Sequence, residues 1–240
     1  MKQIRIATYN IHKCVGMDRK FSPERIVDVL REVDADVVAL QEVLSHSNSH
    51  RRENQAEFIA EELGMKFSLG ENRILKGGKY GNAVLSRLPM KTAENFDISI
   101  QRREPRGCLR TEIEINRTKC LHLFNLHLGT SFFERRKQVH RLFVEDVLGN
   151  RKFEGSRIIV GDFNEWTKGL TTQMFKAHFK SVDAKLHLGT KRTFPGILPI
   201  LHLDHIYFDA GFKLKNAFLH RSRTALVASD HLPIVAEFEF

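Results

Sequence analysis

The sequence has few of the features that mark secreted, membrane-spanning or repetitive proteins. Its 240 residues include only three cysteines, Cys14, Cys108 and Cys120, which are too few and too far apart for a disulfide framework or a C-x-x-C site. No apolar run approaches the roughly 18 residues of a membrane span, and the first residues lack the apolar core of a secretion signal. Internal repeats, low-complexity tracts and linkers are also lacking. We therefore expect a cytoplasmic protein that folds as a single domain over residues 1–240.

The composition is that of a folded protein with a basic surface. Hydrophobic residues make up 42% and charged residues 28% of the chain, both near the average for globular proteins. Lys and Arg outnumber Asp and Glu by 38 to 29, a net charge of +9 that favours a polyanionic partner such as nucleic acid, anionic lipid headgroups or phosphorylated metabolites. The charge is dispersed, however, and clusters as short as Arg135-Arg136-Lys137 also suit an ordinary solvated face.

Hydrophobic patterns predict strands and helices in both halves of the chain, with a middle that is all strand. Ser22-Pro23 predicts a helix start with Ser22 as the N-cap, and Gly64 a helix end. The predicted strands cover residues 3–9, 36–42, 82–87, 95–100, 108–116, 119–128, 157–160, 203–209 and 234–240, and the other predicted helices 52–63, 133–148 and 168–179. Two packed sheets with helices outside would bury all of these apolar faces.

The stretch Gly161-Asp-Phe-Asn164 follows a short apolar strand. Residues two apart in extended chain point the same way, so Asp162 and Asn164 should face one direction and Phe163 the other. A carboxylate that accepts a proton and an amide that donates to an anionic oxygen would then lie at the carboxyl end of a strand. The same residues also suit a plain strand-to-turn junction.

Similar polar residues recur where other predicted strands stop. Each one alone suits an exposed strand end or a structural histidine. Their recurrence, in residue types that bind metal ions and phosphate, favours a common site. They are Asn10, Glu42, Asn82, His127, Asp162, Asn164, Asp204, His205, Asp230 and His231.

Seven short motifs containing these residues resemble, in order, the motif series of the endonuclease/exonuclease/phosphatase family. Each motif is weakly specific alone, but the ordered series spans residues 8 to 233. The resemblance implies an α/β fold, a four-layer α/β/β/α sandwich of two mixed sheets packed face to face with helices outside. The motifs are Thr8-Tyr-Asn-Ile-His12, Leu40-Gln-Glu-Val43, Gly81-Asn-Ala-Val-Leu-Ser86, Asn125-Leu-His127, Gly161-Asp-Phe-Asn164, Leu203-Asp-His-Ile-Tyr207 and Ser229-Asp-His-Leu-Pro233.

The resemblance also implies a divalent metal ion, Mg²⁺ or Mn²⁺, and the residues that would hold it. Glu42 would be the principal ligand, with Asn10 beside it and Asp230 as a further ligand or a contact through water. A hard cation of this kind prefers oxygen donors, which all three side chains offer.

Catalytic roles carry over in the same way. Asp162 would orient and deprotonate the attacking water, while Asn164 and His127 would hold phosphoryl oxygens. His231 would face the phosphate, oriented by a hydrogen bond from its ring to Asp204 that also favours the charged imidazolium.

Three further residues are weaker candidates for binding substrate. Tyr80 and Asn82 lie in or beside a motif, although Asn82 could equally be a structural hydrogen-bonding residue. Arg106 precedes a predicted strand and could reach substrate, or lie on the surface. The loop Thr193-Phe194-Pro195 and the apolar run 197–201 are candidate substrate-facing elements, although such a run also suits a core.

The sequence thus predicts a metal-dependent phosphodiester hydrolase, with nucleic acid favoured as substrate by the charge of +9. The resemblance is strongest to short bacterial members of the family whose substrates are unassigned. A phospholipid headgroup or inositol phosphate is the alternative substrate class. A phosphate-recognising binding module without turnover is the alternative outside enzymes.

Overall fold

Two six-stranded β-sheets form the centre of the chain in a computed structural model, which describes residues 3–46, 50–145, 147–149, 153, 155–166, 169–182, 193–195 and 201–240. The strands are β1 (Gln3–Asn10), β2 (Val37–Ser45), β3 (Lys66–Leu75), β4 (Gly78–Ser86), β5 (Met90–Asp97), β6 (Gly107–Asn116), β7 (Lys119–His127), β8 (Ser156–Asp162), β9 (Lys180–Ser181), β10 (Asp204–Phe208), β11 (Lys213–Leu219) and β12 (Ile234–Glu239). The first sheet has the order β11-β12-β1-β2-β4-β3 and the second β5-β6-β7-β8-β10-β9. Both sheets are mixed, because β1–β2 and β7–β8 pair in parallel while their other pairs are antiparallel.

Helices cover the outer faces of the two sheets. They are α1 (Pro23–Val33), α2 (Gln55–Leu63), α3 (Phe132–Val144), α4 (Leu170–His178) and the short α5 (Ala225–Ala228). Apolar residues of α1 and α2 belong to the main core cluster, which also fills the space between the sheets. Val139 and Leu142 of α3 and Phe175 of α4 belong to a second cluster against β7, β8 and β10. This is the expected α/β/β/α sandwich. No helix in the described part of the chain is long and apolar enough to span a membrane.

Most predicted elements are present, and the strands that the pattern did not predict lie mainly at sheet edges. β3 and β11 are the two edge strands of the first sheet, and most of their residues are partly or fully exposed. An edge strand that faces water carries no apolar run or clean alternation, so its pattern resembles a loop. The hairpin of β6 and β7 around residues 116–119 agrees with its prediction.

The predicted helix ends are borne out in part. Gly64 ends α2 in the left-handed conformation at φ 63°, and its N–H donates to the carbonyls of Ala60 and Glu61. Ser22 stands at the N-cap of α1, but its hydroxyl makes no capping hydrogen bond and instead donates to Glu24 Oε2 at 3.0 Å.

The topology brings the motif residues to one edge of both sheets. β7 and β8 run parallel, so His127 and Asp162 lie side by side where these strands end. β10 is antiparallel to β8 and starts at Asp204, directly opposite Asp162. In the other sheet β1 ends at Asn10, and the antiparallel β12 begins three residues after His231. Strand ends and strand starts therefore meet at the same edge.

Candidate active site

Asp162 lies at the centre of the polar residues that meet at this edge. The preceding Gly161 has φ 138°, and a Cβ there would lie 1.9 Å from the carbonyl oxygen of Leu126, so only glycine allows this approach of β8 to β7. Asp162 Oδ1 accepts a hydrogen bond from the backbone N–H of Asn164 at 2.9 Å, and Oδ2 accepts one from Asn10 Nδ2 at 3.0 Å. The carboxylate is thereby fixed by both sheets.

Two imidazoles face the same oxygen of Asp162. His127 Nε2 and His231 Nε2 each lie 3.6 Å from Asp162 Oδ2. All three side chains are at least 95% buried, so their mutual electrostatic effects are strong. One carboxylate and two ring nitrogens therefore lie close together at the centre of the site.

His231 is held between two carboxylates. Its Nδ1 lies 2.8 Å from Asp204 Oδ2, and its other nitrogen faces Asp162. Burial disfavours the charged ring, but Asp204 and Asp162 outweigh that effect and raise the pKa of His231 to about 10. At neutral pH the ring is therefore an imidazolium with both nitrogens protonated.

Asp162 is a carboxylate poised to accept a proton near neutral pH. Burial raises its pKa to about 6, although the charge of His231 and the hydrogen bonds from Asn10 and Asn164 lower it. A base with a pKa just below the working pH is ionised and still basic enough to take a proton.

The second imidazole, His127, is neutral, and Arg106 fixes its tautomer. Arg106 Nη1 lies 3.0 Å from His127 Nδ1. A guanidinium can only donate, so Nδ1 accepts and the ring proton must be on Nε2, which faces Asp162. Burial and the charge of Arg106 both lower the pKa of His127 well below its usual value. His127 thus presents an N–H donor at the centre of the site.

The structure therefore gives Arg106 a position that the sequence did not predict. It is not an exposed arginine, and a role in binding substrate stays a prediction. Its side chain is 6% exposed and makes an ion pair with Glu104 at 2.9 Å while it contacts His127. Its guanidinium contacts the site at that histidine.

Glu42 reaches the site from inside a strand rather than from a strand end, which corrects the sequence prediction. β2 continues to Ser45, and its pairing with β4 is shifted between Leu40 and Val43. Glu42 sits in this bulge at φ 56°. A bulge re-aims a side chain, and here the carboxylate points toward Asn10, whose Nδ2 donates to Glu42 Oε1 at 3.2 Å.

A lysine that the sequence did not single out lies against Glu42. Lys13 Nζ is 2.5 Å from Glu42 Oε2. Burial would raise the pKa of Glu42, but the charge of Lys13 and the hydrogen bonds from Lys13 and Asn10 lower it overall. Because the ring of His127 is itself neutral, Lys13 supplies the positive charge. In the sequence, the only hint at this role of Lys13 was its position between the motif residues Asn10 and Glu42.

The backbone around Lys13 is unusual. His12, Lys13 and Cys14 form a 3₁₀ turn in which all three residues have positive φ, and Gln55 Nε2 donates to the carbonyl of Lys13 at 2.8 Å. Strained backbone of this kind is found preferentially at functional sites.

One serine, Ser229, links Asp230 to Asn10. Ser229 Oγ donates to the backbone carbonyl of Asn10 at 2.7 Å and lies 3.3 Å from Asp230 Oδ1. His12 Nδ1 is 3.9 Å from the same carboxylate oxygen. Asp230 therefore borders the side of the site occupied by Asn10 and Glu42.

The side-chain amides of Asn164 and Asn82 donate hydrogen bonds to backbone carbonyls. Asn164 Nδ2 donates to the carbonyl of Leu128 at 2.9 Å, and its backbone has φ 50°. Asn82 lies in the middle of β4, not at a strand end, and its Nδ2 is 3.2 Å from the carbonyls of both Gly107 and Asn125. These hydrogen bonds are structural, and a role of Asn82 in binding substrate stays a prediction.

Tyr80 is buried close to the site. Burial and the charge of Glu42 raise the pKa of its hydroxyl, and the guanidinium of Arg73 lies 4.9 Å from the ring centroid. The loop Thr193–Pro195 also approaches the site, because the ring of Phe194 lies 4.9 Å from that of His231. Residues 197–200 of the predicted apolar run lie outside the described residues.

Asn125 of the third motif joins the two sheets behind the site. Its Nδ2 donates to the carbonyls of Leu40 and Ala83, both at 2.9 Å, and its Oδ1 accepts from Gln41 Nε2 at 2.7 Å. The motif therefore supplies a bridge between layers as well as His127.

Among the residues that the structure describes, two groups of side chains could hold a metal ion. Asp162, Asp204 and His231 offer ligand atoms within 4.8 Å of one another. However, both nitrogens of His231 are engaged by carboxylates, and the raised pKa leaves the ring without a free lone pair. A second group consists of Glu42, the adjoining Asn10, and Asp230, which is linked to Asn10 through Ser229. It offers only oxygen donors for a cation, and the Glu42 carboxylate already binds the ammonium of Lys13. This second group suits a hard divalent ion better.

Comparison with known proteins identifies one family and several structures with the same fold. A family model described as "Endonuclease/Exonuclease/phosphatase family" matches residues 7–231. The uncharacterized protein YbhP of Escherichia coli (strain K12) is 34% identical over 97% of this chain and 95% of its own length. Among solved structures, a mannosyl-6-phosphatase of Bacteroides thetaiotaomicron VPI-5482 aligns with a TM-score of 0.76 at 19% identity, over 99% of this chain and 100% of that one. D. rerio TDP2 complexed with a single-strand DNA product aligns with a TM-score of 0.74 at 16% identity, over 100% of both chains. These structures share the fold.

Proposed function

The chain belongs to the endonuclease/exonuclease/phosphatase family, and from this premise we propose that it is a divalent-metal-dependent hydrolase of phosphodiester bonds. Family membership supports a phosphoester hydrolase in general. The observation that carries the finer proposal is the convergence of two histidine Nε2 atoms and one asparagine amide on Asp162 Oδ2. A buried carboxylate that faces hydrogen-bond donors is suited to activate water beside an anionic phosphate.

Asp162 is the proposed general base. The attacking water gives its proton to the carboxylate as its oxygen bonds to phosphorus, and the bond from phosphorus to the leaving oxygen breaks. The pKa of about 6 keeps Asp162 ionised at neutral pH. Its two fixed hydrogen bonds, from Asn10 and from the backbone of Asn164, hold it in one orientation.

Three groups are proposed to hold the phosphoryl oxygens. His231 offers a charged N–H because its pKa is raised to about 10, and His127 offers a neutral N–H because Arg106 occupies its other nitrogen. Asn164 uses its amide for the carbonyl of Leu128, and the second N–H of that amide is the proposed donor. Charge that develops on the phosphate in the transition state is stabilised by such preorganised donors.

Glu42, Asn10 and Asp230 are the proposed ligands of Mg²⁺ or Mn²⁺. The bound ion would neutralise charge on the phosphate and the leaving oxygen. Because Lys13 binds Glu42, a divalent ion that uses this carboxylate must compete with the ammonium group.

The proposed metal ligands come from β1, β2 and the segment before β12, so the site requires most of the chain. We therefore also propose that residues 1–240 form one catalytic domain.

Nucleic acid is the proposed substrate class, supported by the net charge of +9 and by the single-strand DNA product named in the structure of D. rerio TDP2. A phospholipid headgroup or inositol phosphate is the alternative, and the third candidate is a phosphate-binding module without turnover.

The three cysteines are free thiols, which supports the proposal that the protein works in a reducing compartment such as the cytoplasm.

The test is a panel of phosphoesters assayed with and without Mn²⁺. It should contain a bis-aryl phosphodiester, single- and double-stranded DNA, RNA, phospholipids and sugar phosphates. We expect metal-dependent cleavage that Asp162→Asn abolishes while its circular dichroism spectrum stays unchanged. Binding of these esters without cleavage would favour the binding module, and cleavage unaffected by Asp162→Asn would refute the assignment of the base.

A further inference from the structure

The face of α3 that points away from the core combines exposed apolar side chains with basic ones. Its buried face carries Val139 and Leu142. The residues of the opposite face repeat at helical spacing and are exposed to solvent. They are Phe133, Arg136, Lys137, His140 and Val144.

This face and α4 enclose a groove of ≈ 490 Å³. We call it the α3–α4 groove. It is lined by Phe133, Arg136, Lys137, His140, Leu170 and Met174. Phe133 is 70% exposed, and the neighbouring Phe132, in contact with it, is 46% exposed. Large apolar side chains grouped in this way on a surface mark an interaction site.

The groove is fixed to the active-site edge by hydrogen bonds on the other face of α3. Arg135 Nη1 donates to the carbonyls of Gly129 and Thr130, and Gln138 Oε1 accepts from the N–H of Gly129. The adjoining Leu128 binds the backbone carbonyl of Asp162 and the side chain of Asn164. Whatever binds the groove is therefore held at a defined place relative to Asp162.

We propose that the α3–α4 groove docks the protein on the surface of an anionic phospholipid bilayer. Phe133, Leu170 and Met174 would enter the boundary between headgroups and acyl chains, while Arg136 and Lys137 would contact anionic headgroups. Within the described residues neither of these two cations forms an ion pair, so both are free to do so.

The chemistry of the groove favours a bilayer over the other occupants. Single-stranded nucleic acid is bound by aromatic rings whose faces receive the bases. Here Leu170, Met174 and Val144 are aliphatic, and Phe132 and Phe133 meet edge to face at 79°. A second copy of the chain related by two-fold symmetry would bring Arg136 and Lys137 against identical charges.

The chain carries its own reporter for this binding. Trp166 is the sole tryptophan, is 60% exposed and lies four residues before Leu170. Its emission should shift to the blue when the groove docks on vesicles. Vesicles of phosphatidylcholine alone and vesicles with phosphatidylglycerol, both in EDTA, separate charge from apolar contact. Binding is read without turnover, so the docking proposal and the proposed hydrolysis can fail separately.

The deciding experiment is co-sedimentation with vesicles containing phosphatidylglycerol. Phe133→Ser combined with Leu170→Ser should lower the partition coefficient about a hundredfold, since burial of each side chain accounts for about tenfold. Ile74→Ser, which removes a 60% exposed isoleucine on the edge strand β3, is the matched control and should bind normally.

A second pair of substitutions keeps the test valid if the apolar variant does not fold. Arg136→Gln combined with Lys137→Gln on the exposed helix face should lower binding about thirtyfold and reduce its salt dependence. Lys66→Gln on β3 is the control. Absence of vesicle binding, or binding that the groove variants leave unchanged, would overturn the proposal. A response of Trp166 to oligo-dT but not to vesicles would replace the bilayer with nucleic acid.

Discussion

The pair formed by Asp204 and His231 allows a prediction whose size follows from the geometry. Asp204→Asn keeps the shape of the side chain and removes its charge. In the parent protein the pKa of His231 is raised from 6.5 to about 10, which corresponds to roughly 5 kcal/mol in favour of the charged ring. Asp204 Oδ2 is 2.8 Å from the ring nitrogen, and both side chains are at least 95% buried.

The loss of this single charge should account for most of that preference. A pair of charges about 4 Å apart contributes about 4 kcal/mol at the effective dielectric constant that suits protein sites, which is about three pH units. We therefore expect the pKa of His231 to fall to about 7 in Asp204→Asn. At pH 8.5 the ring would then be charged in the parent protein and neutral in the variant.

Two measurements check this expectation. Nuclear magnetic resonance of the His231 ring gives the pKa directly, and the alkaline limb of kcat/KM should move to lower pH, so the activity ratio of parent to variant grows between pH 6.5 and 9. Glu32→Gln is the matched control, because Glu32 Oε2 forms a similar contact with the ring of His220 at 2.7 Å. An activity ratio independent of pH, or an unmoved pKa, would refute the role of Asp204.

The same pair predicts the pH dependence of stability. The folded-state pKa of His231 lies above its unfolded value of 6.5, so the stabilisation is complete below pH 6.5 and disappears as the pH rises through about 10. The difference in unfolding free energy between parent and Asp204→Asn should therefore be largest at pH 6 and shrink toward pH 10. Urea titrations at several pH values measure it, and a difference that grows with pH would contradict the sign.

Three more predictions concern other parts of the site. Activity should fall as the pH drops through about 6, because the pKa of Asp162 is raised to about 6 and its carboxylate must be ionised to act as a base; a rate that is flat from pH 7 to 5 would exclude this. Glu42→Gln should weaken Mn²⁺ binding in calorimetry by about tenfold or more, since a neutral amide replaces an anionic oxygen ligand, and an unchanged titration would remove Glu42 from the metal site. Gly161→Ala should destabilise the fold by about 3 kcal/mol or more, because its Cβ would lie 1.9 Å from a backbone oxygen; a normal denaturant midpoint would show that β7 and β8 can separate at no cost.

The order of strands and helices could be predicted from the sequence wherever burial imposes a hydrophobic pattern. Central strands such as β1, β2 and β8 are apolar because both of their faces are covered, and α1 shows one apolar face because the other meets water. Edge strands have no such constraint, so β3 and β11 escaped prediction. The bulge at Glu42 also escaped, because an apolar run contains no signal for one extra residue.

The sequence by itself determined the fold class, the family and the set of polar residues from which the site is built, because these depend on residue types in order along the chain. Gly161-Asp-Phe-Asn164 could be recognised in that way as the end of a strand with a carboxylate and an amide. Which groups touch, and in which charge state, was decided only by the tertiary structure. Asp162 and His231 are far apart in sequence, and their pKa values depend on burial and on charges a few ångströms away. The places of Lys13 on Glu42 and of Arg106 on His127 were decided in the same way, since electrostatic effects act through space and leave no pattern in the order of residues.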